Sequence, residues 1–181
     1  MSEIELEASA LFDDEASALV KRKTIKPMDI RCAAMDLLAR REHAFQELVN
    51  KLSTKFLRYS DYGYAIEKAS LLELIFDQIL ILKNENLQSD ERYVESFING
   101  RKSQGKGPIR IRRELEQKQV SSQLINNYLN EASEEWESLA RQVYLKKFGQ
   151  GESKNYQEKT KRLRFLVYRG FPHELLRSIV C

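Results

Sequence analysis

"GKGPIRIRRELEQKQV", residues 105–120, decides how this chain is to be read. Two glycines and a proline punctuate it, and then Ile111 and Leu115 follow at helical spacing among arginines. A phosphate-gripping loop is not indicated. The stretch lacks G-x-x-x-x-G-K-[ST] spacing, and no strand pattern precedes it. The glycines read instead as a tight join between helices. Pro108 suits the first turn of the following helix, where its missing N–H has no partner to lose.

Outward from this join the chain reads as short helices in groups of three. Before it, "SDERYVESFINGRK" opens with Ser89 or Asp90 as a cap for free amides and carries Tyr93, Val94, Phe97 and Ile98 as a buried stripe. After it, "VSS" breaks the helix and "QLINNYL" forms a third one. Upstream, "MDIRCAAMDLLARR" places Ile30, Ala34, Leu37 and Leu38 on one face, with Cys32 expected as a small buried hydrophobe. "AFQELVNKL" follows, then "STKFLRYSDYGY" as a loop, then an apolar helix from about 65 to 83. Downstream come "EEWESLARQVYLKKF", a polar loop, "YQEKTKRLRFLVYRGF" and "PHELLRSIV". Gly170 is placed to end a helix in the left-handed conformation, with Pro172 in the next first turn. In the helix before Gly170, Leu163, Leu166 and Val167 share one face, and Phe165, Tyr168, Lys161 and Arg164 the other.

The groups match one another. A shift of 51 residues lays Leu115 on Leu166, Val120 on Phe171, Ile125 on Leu176 and Leu129 on Val180. In the first group Leu48 and Lys51 take the places of Leu115 and Lys118. The expected fold is all-α: three tandem three-helix repeats in an elongated, curved molecule, since each unit buries little alone. The expected divisions are an acidic, flexible tail at 1–26 and repeats at 27–86, 87–132 and 133–181.

Charge is unevenly spread. Residues 1–20 hold six acidic and no basic side chains, residues 21–100 hold 12 and 13, and residues 101–181 hold nine and 17. A basic C-terminal half calls for an acidic partner: nucleic acid, an acidic protein groove, or the chain's own N-terminus. A solvated face without a partner is the plainer alternative. The spacing offers Arg110–Glu114 and Arg112–Glu116 as surface ion pairs, and it leaves Arg113 outside them. The 51-residue shift sends Arg110 to Lys161 and Arg113 to Arg164. A second series, Arg40–Arg41, Arg101–Lys102 and Lys146–Lys147, ends the first helix of each repeat. It suits the helix dipole as well as it suits binding.

Nothing recommends catalysis or a cofactor. The chain has two histidines and two cysteines, without metal-ligand spacing, and no serine-nucleophile motif. Neither a secretory leader nor a membrane span is read, so a cytoplasmic location is expected.

The segments "AAMDLLARREHAFQELVNKL", "SDERYVESFINGRKSQGKGPIRIRRELEQKQV" and "KTKRLRFLVYRGFPHELL" resemble the RecX regulatory proteins, from roughly residue 29 to 180. The resemblance implies a non-enzymatic regulator that lies along the RecA filament on single-stranded DNA and inhibits or modulates strand exchange, ATP hydrolysis and co-protease activity. The residues expected to contact acidic protein or DNA phosphate are Arg101, Lys102, Lys106, Arg110, Arg113, Lys118, Lys161, Arg164 and Arg169, most of them on charge and position alone. Of these, Arg110, Lys118, Arg169 and, less closely, Arg101 stand where the family pattern is itself basic. Two departures touch helix ends: Ala44 replaces the serine of a capping box, and Gln119 replaces a glycine. The chain is expected to act as a monomer, away from membranes and without cofactor. The alternatives are a DNA-binding module that competes for DNA and an adaptor that uses its apolar faces. Residues 1–20 are expected to fold back on the basic repeats and weaken binding.

Overall fold

The computed structural model describes residues 24–58, 67–131, 134–151, 153 and 155–180. The acidic segment at 1–20 and the turn expected around Asp61 and Gly63 lie outside them. Among the described residues run nine helices and no strand: α1 (Pro27–Leu38), α2 (Phe45–Leu57), α3 (Lys68–Asn84), α4 (Asp90–Ser103), α5 (Pro108–Gln117), α6 (Ser122–Tyr128), α7 (Glu135–Phe148), α8 (Tyr156–Tyr168) and α9 (His173–Leu176). The closest helix–helix packing falls within three consecutive triplets, α1–α3, α4–α6 and α7–α9.

Local chemistry sets the helix ends. The Ser89 hydroxyl caps α4 by accepting from the Arg92 N–H at 3.1 Å. Asp90 does something else: its carboxylate accepts the Phe45 N–H at 2.8 Å and so ties α4 to the start of α2. Pro108 occupies the first turn of α5, and Ile111 and Leu115 behind it have no exposed surface. Burying each contributes about 1.5–3 kcal/mol. Helix α5 ends with the Gln119 N–H on the Glu116 carbonyl and the Val120 N–H on the Leu115 carbonyl. Helix α8 ends the same way, Gly170 on Val167 and Phe171 on Leu166. The two closures are related by the 51-residue shift, so the repeat register is written in hydrogen bonds as well as in apolar residues.

The closures need a left-handed residue, and Gln119 (φ 58°) and Gly170 (φ 93°) supply it. A glutamine there is strained. Gln119→Gly is expected to raise stability by up to ~1 kcal/mol in urea denaturation, and a midpoint that falls would refute this. Ala44, which begins α2 in an extended conformation, offers no side-chain cap. Ala44→Ser is expected to add about 0.5–2 kcal/mol, and an unchanged midpoint in the same assay would show that the hydroxyl finds no amide.

Four expectations are corrected. Ser53–Leu57 is not loop but the last turns of α2. Leu48, Leu52 and Phe56 continue one buried stripe, and the Ser53 and Thr54 hydroxyls donate to carbonyls four residues back without breaking the helix. Cys32 is exposed, because Ile30, Ala33 and Ala34 take the inward positions of α1. Pro172 precedes α9 as its cap residue and does not stand within its first turn. Val167 is exposed while Phe165 packs on the core, so α8 is turned from the face its leucines suggested.

One apolar cluster joins α1, α2 and α3 around Ile30, Leu48, Leu52, Leu71 and Ile75. A second runs through the other two triplets and includes Ala44. The second and third triplets are further joined by backbone. The Gly107 N–H donates to the Arg169 carbonyl at 2.8 Å and the Ile109 N–H to the Gly170 carbonyl at 3.1 Å. A β-carbon on Gly107 would lie 2.4 Å from Gly170 backbone atoms, and one on Gly170 would lie 2.4 Å from the Arg110 Cβ. The glycines of residues 105–120 therefore let one triplet's join press against the next triplet's helix end.

Candidate functional site

The nine cations singled out from the sequence fall into two sets. Five are engaged inside the molecule. Arg101 donates to Glu114 at 2.5 Å and lies 4.5 Å over the Phe97 ring. Lys102 pairs with Glu135 at 2.8 Å and sits 4.8 Å over Trp136. Arg110 pairs with Glu114 at 2.9 Å and lies 5.3 Å over Tyr168. Lys118 stands 3.6 Å from Glu47. Arg169 donates to the Gln104 and Gly105 carbonyls at 2.9 and 3.1 Å. The other four, Lys106, Arg113, Lys161 and Arg164, make no ion pair among the described residues, and all but half-buried Lys106 are exposed. Arg112 does not pair with Glu116 as its spacing suggested. It reaches Glu131 and Asn126 across the triplet, because a tertiary partner there lies closer than the next turn of its own helix.

Two clefts lie beside these side chains. One, of about 400 Å³, is bordered by Lys102, Lys146, Lys147 and Arg169 over Leu139, Val143 and Phe165. The other, of about 340 Å³, contains Arg41, Arg101 and Lys118 together with Glu42 and Glu47. Glu47 is the electrostatic centre of the second. It is 7% exposed and accepts from Arg41 at 2.7 Å, with His43 Nδ1 at 3.4 Å and Lys118 Nζ at 3.6 Å. Burial pushes the Glu47 carboxyl up, but the hydrogen bond and charge of Arg41, with the charges of Lys118 and His43, hold it below the usual carboxylate range. Burial, and then the Arg41 charge, push His43 below the ordinary imidazole range.

Both groups are depressed in the folded state. Each then contributes stability above its unfolded pKa and loses it as pH falls through the folded value. Arg41 is half exposed, which discounts the pair. Glu47→Gln is expected to cost about 1–2 kcal/mol at pH 7, with the difference from wild type closing below about pH 4. Urea denaturation across pH checks this, and a difference independent of pH would contradict it.

The comparisons with known proteins join this geometry to a family. Residues 89–129 match the family model described as RecX, second three-helix domain, and residues 133–180 match RecX, third three-helix domain. The Regulatory protein RecX of Pseudomonas putida is 37% identical over 154 residues, 85% of this chain and 90% of that protein. The chain belongs to the RecX regulatory protein family. The Regulatory protein RecX of Legionella pneumophila is 33% identical over 147 residues, 81% of this chain and 89% of that protein. Among solved structures, a crystal structure of regulatory protein RecX matches with TM-score 0.62 at 19% identity, covering 99% of this chain and 79% of that one. RecX from Lactobacillus salivarius matches with TM-score 0.63 at 18% identity, covering 85% and 94%. These two likenesses show the fold.

Arg101, Lys102, Arg110, Lys118 and Arg169 tie helices and triplets together. Two features were missed in the sequence. Lys146 and Lys147 border the larger cleft, and only their place in the helix-end series pointed to them. Arg162 is 5% exposed and is held by Tyr144, the Gly151 carbonyl and Glu158. An arginine among Leu163 and Leu166 gives no sign of that burial.

Proposed function

We propose that this chain binds the RecA filament on single-stranded DNA and modulates or inhibits its recombinase, ATPase and co-protease activities. The observation that carries the reading is membership of the RecX family over 85% of the chain. Arg113, Lys161 and Arg164, which make no ion pair among the described residues, supply the means: they can meet acidic protein surface. The chain acts as a monomeric, cofactor-free regulator in the cytoplasm and does no chemistry of its own. Among the described residues no helix is long and apolar enough to cross a membrane.

A second reading, direct binding to DNA, is favoured by one observation. Tyr156 and Tyr168 are 82% and 76% exposed on α8, the helix that also carries Lys161 and Arg164. Bases stack on such rings between phosphate-binding cations. Salt separates the two. Binding to bare DNA falls steeply and linearly in log–log form as salt rises. Co-sedimentation with RecA filaments that persists at salt releasing the chain from bare DNA supports filament binding. Parallel loss of both supports competition for DNA.

A further inference from the structure

The third triplet lacks a carboxylate that the first two possess. In the first, Arg41, just past the end of α1, is held by Glu47 of α2 at 2.7 Å. In the second, Arg101, in the last turn of α4, is held by Glu114 of α5 at 2.5 Å. Each glutamate immediately precedes a fully buried leucine, Leu48 or Leu115. The matching leucine of the third triplet is Leu166, and the residue before it is Phe165. The helix-end cations remain there as Lys146 and Lys147, and they make no ion pair among the described residues.

The consequence is the larger cleft. Arg169 donates to neutral carbonyls and lies 4.9 Å over the Phe165 ring, and no carboxylate among the described residues pairs with it. Lys102 has Glu135 as its partner, but that carboxylate is 71% exposed and screened. No carboxylate among the described residues lines the cleft, and Leu139, Val143 and Phe165 form an apolar floor beside the cations. A phosphate backbone would satisfy the cations and leave that floor wet. A segment that alternates carboxylates with apolar side chains satisfies both.

This chain contains such a segment. Residues 3–15 read "EIELEASALFDDE", six carboxylates set among Ile4, Leu6, Leu11 and Phe12. Residue 15 lies nine positions before the first described residue and residue 3 lies 21 before it. Extended chain of those lengths reaches roughly 30 to 70 Å, enough to cross a domain of this size. We propose that the cleft between the end of α4 and helices α7 and α8 is a docking site for the chain's own residues 3–15. Their carboxylates take the place of the missing third glutamate, and an apolar side chain covers Phe165. The contact requires no recombinase, so it stands or falls apart from the proposed function.

The test is ¹⁵N NMR of the full chain. The wild-type amide resonances of residues 3–15 are expected to move when salt rises from about 0.02 to about 0.5 M, as exposed ion pairs are screened. In K146E/K147E they are expected to sit at the high-salt positions already at low salt, with the helix resonances unchanged. Adding D13K/D14K/E15K to that variant is expected to restore the low-salt shifts by exchanging the two charges. Resonances of residues 3–15 that are the same in wild type and K146E/K147E at low salt would overturn the proposal. So would a salt response of equal size in both, which places the contact elsewhere, on an outside partner's surface or on no surface.

Discussion

Gly170→Ala is expected to lower stability by roughly 3–5 kcal/mol, among the largest effects of any single methyl group in this molecule. Two costs coincide. At φ 93° an alanine is strained wherever it stands, and here the new carbon would lie 2.4 Å from the Arg110 Cβ and 2.5 Å from the Arg110 backbone nitrogen. Neither neighbour is the loose end of a side chain. Relief requires α5 and α8 to separate, which breaks the Gly107–Arg169 and Ile109–Gly170 hydrogen bonds. Gly107→Ala meets the same backbone from the other side, so its effect should be similar and less than additive with the first. The matching position one triplet earlier, Gln119, borders a cleft of about 350 Å³ and so has room for its side chain. Gly100 is the control. A β-carbon there meets nothing within 4 Å inside α4, so Gly100→Ala should stabilise by about 0.5–1 kcal/mol. Urea denaturation of the three variants decides it. A Gly170→Ala protein within about 1 kcal/mol of wild type would show that the two triplets are not pressed together as described.

The second large effect is on binding. Arg113→Glu with Arg164→Glu is expected to weaken binding to the RecA filament by roughly tenfold or more, which is about 1.4 kcal/mol. Both side chains are exposed and make no ion pair among the described residues, so the fold should be unaffected. Reversal at Arg101 or Arg169 could not be read so simply, because each holds other parts of the chain in place. Titration of the double variant into labelled filaments, with its urea midpoint as control, makes the test. Undiminished affinity would favour an adaptor that uses its apolar faces.

Much of the fold was legible because it is written in local spacing. Ile111, Leu115, Leu166 and Phe171 recur at helical and 51-residue intervals, and Pro108, Ser89 and Gly170 mark ends whose chemistry is local. What the sequence hid is tertiary. The carbonyls that receive Arg169 lie 64 and 65 residues away. Arg112 prefers Glu131 to Glu116 because another helix brings it closer. The cations were legible as a set, but not which of them are spent on holding the triplets together. That division depends on Glu47 and Glu114 having a phenylalanine as their third counterpart, a difference the 51-residue shift carries but whose weight shows only in the ion pairs the two glutamates make.

The proposed action on the filament, and not through the DNA, is tested most directly by RecA-catalysed ATP hydrolysis on single-stranded DNA while this protein is titrated in, with its coverage of the same DNA measured alongside. Inhibition at concentrations that leave bare DNA uncovered is the expected result. Inhibition that begins only as the DNA fills, or no inhibition at any concentration, would contradict it.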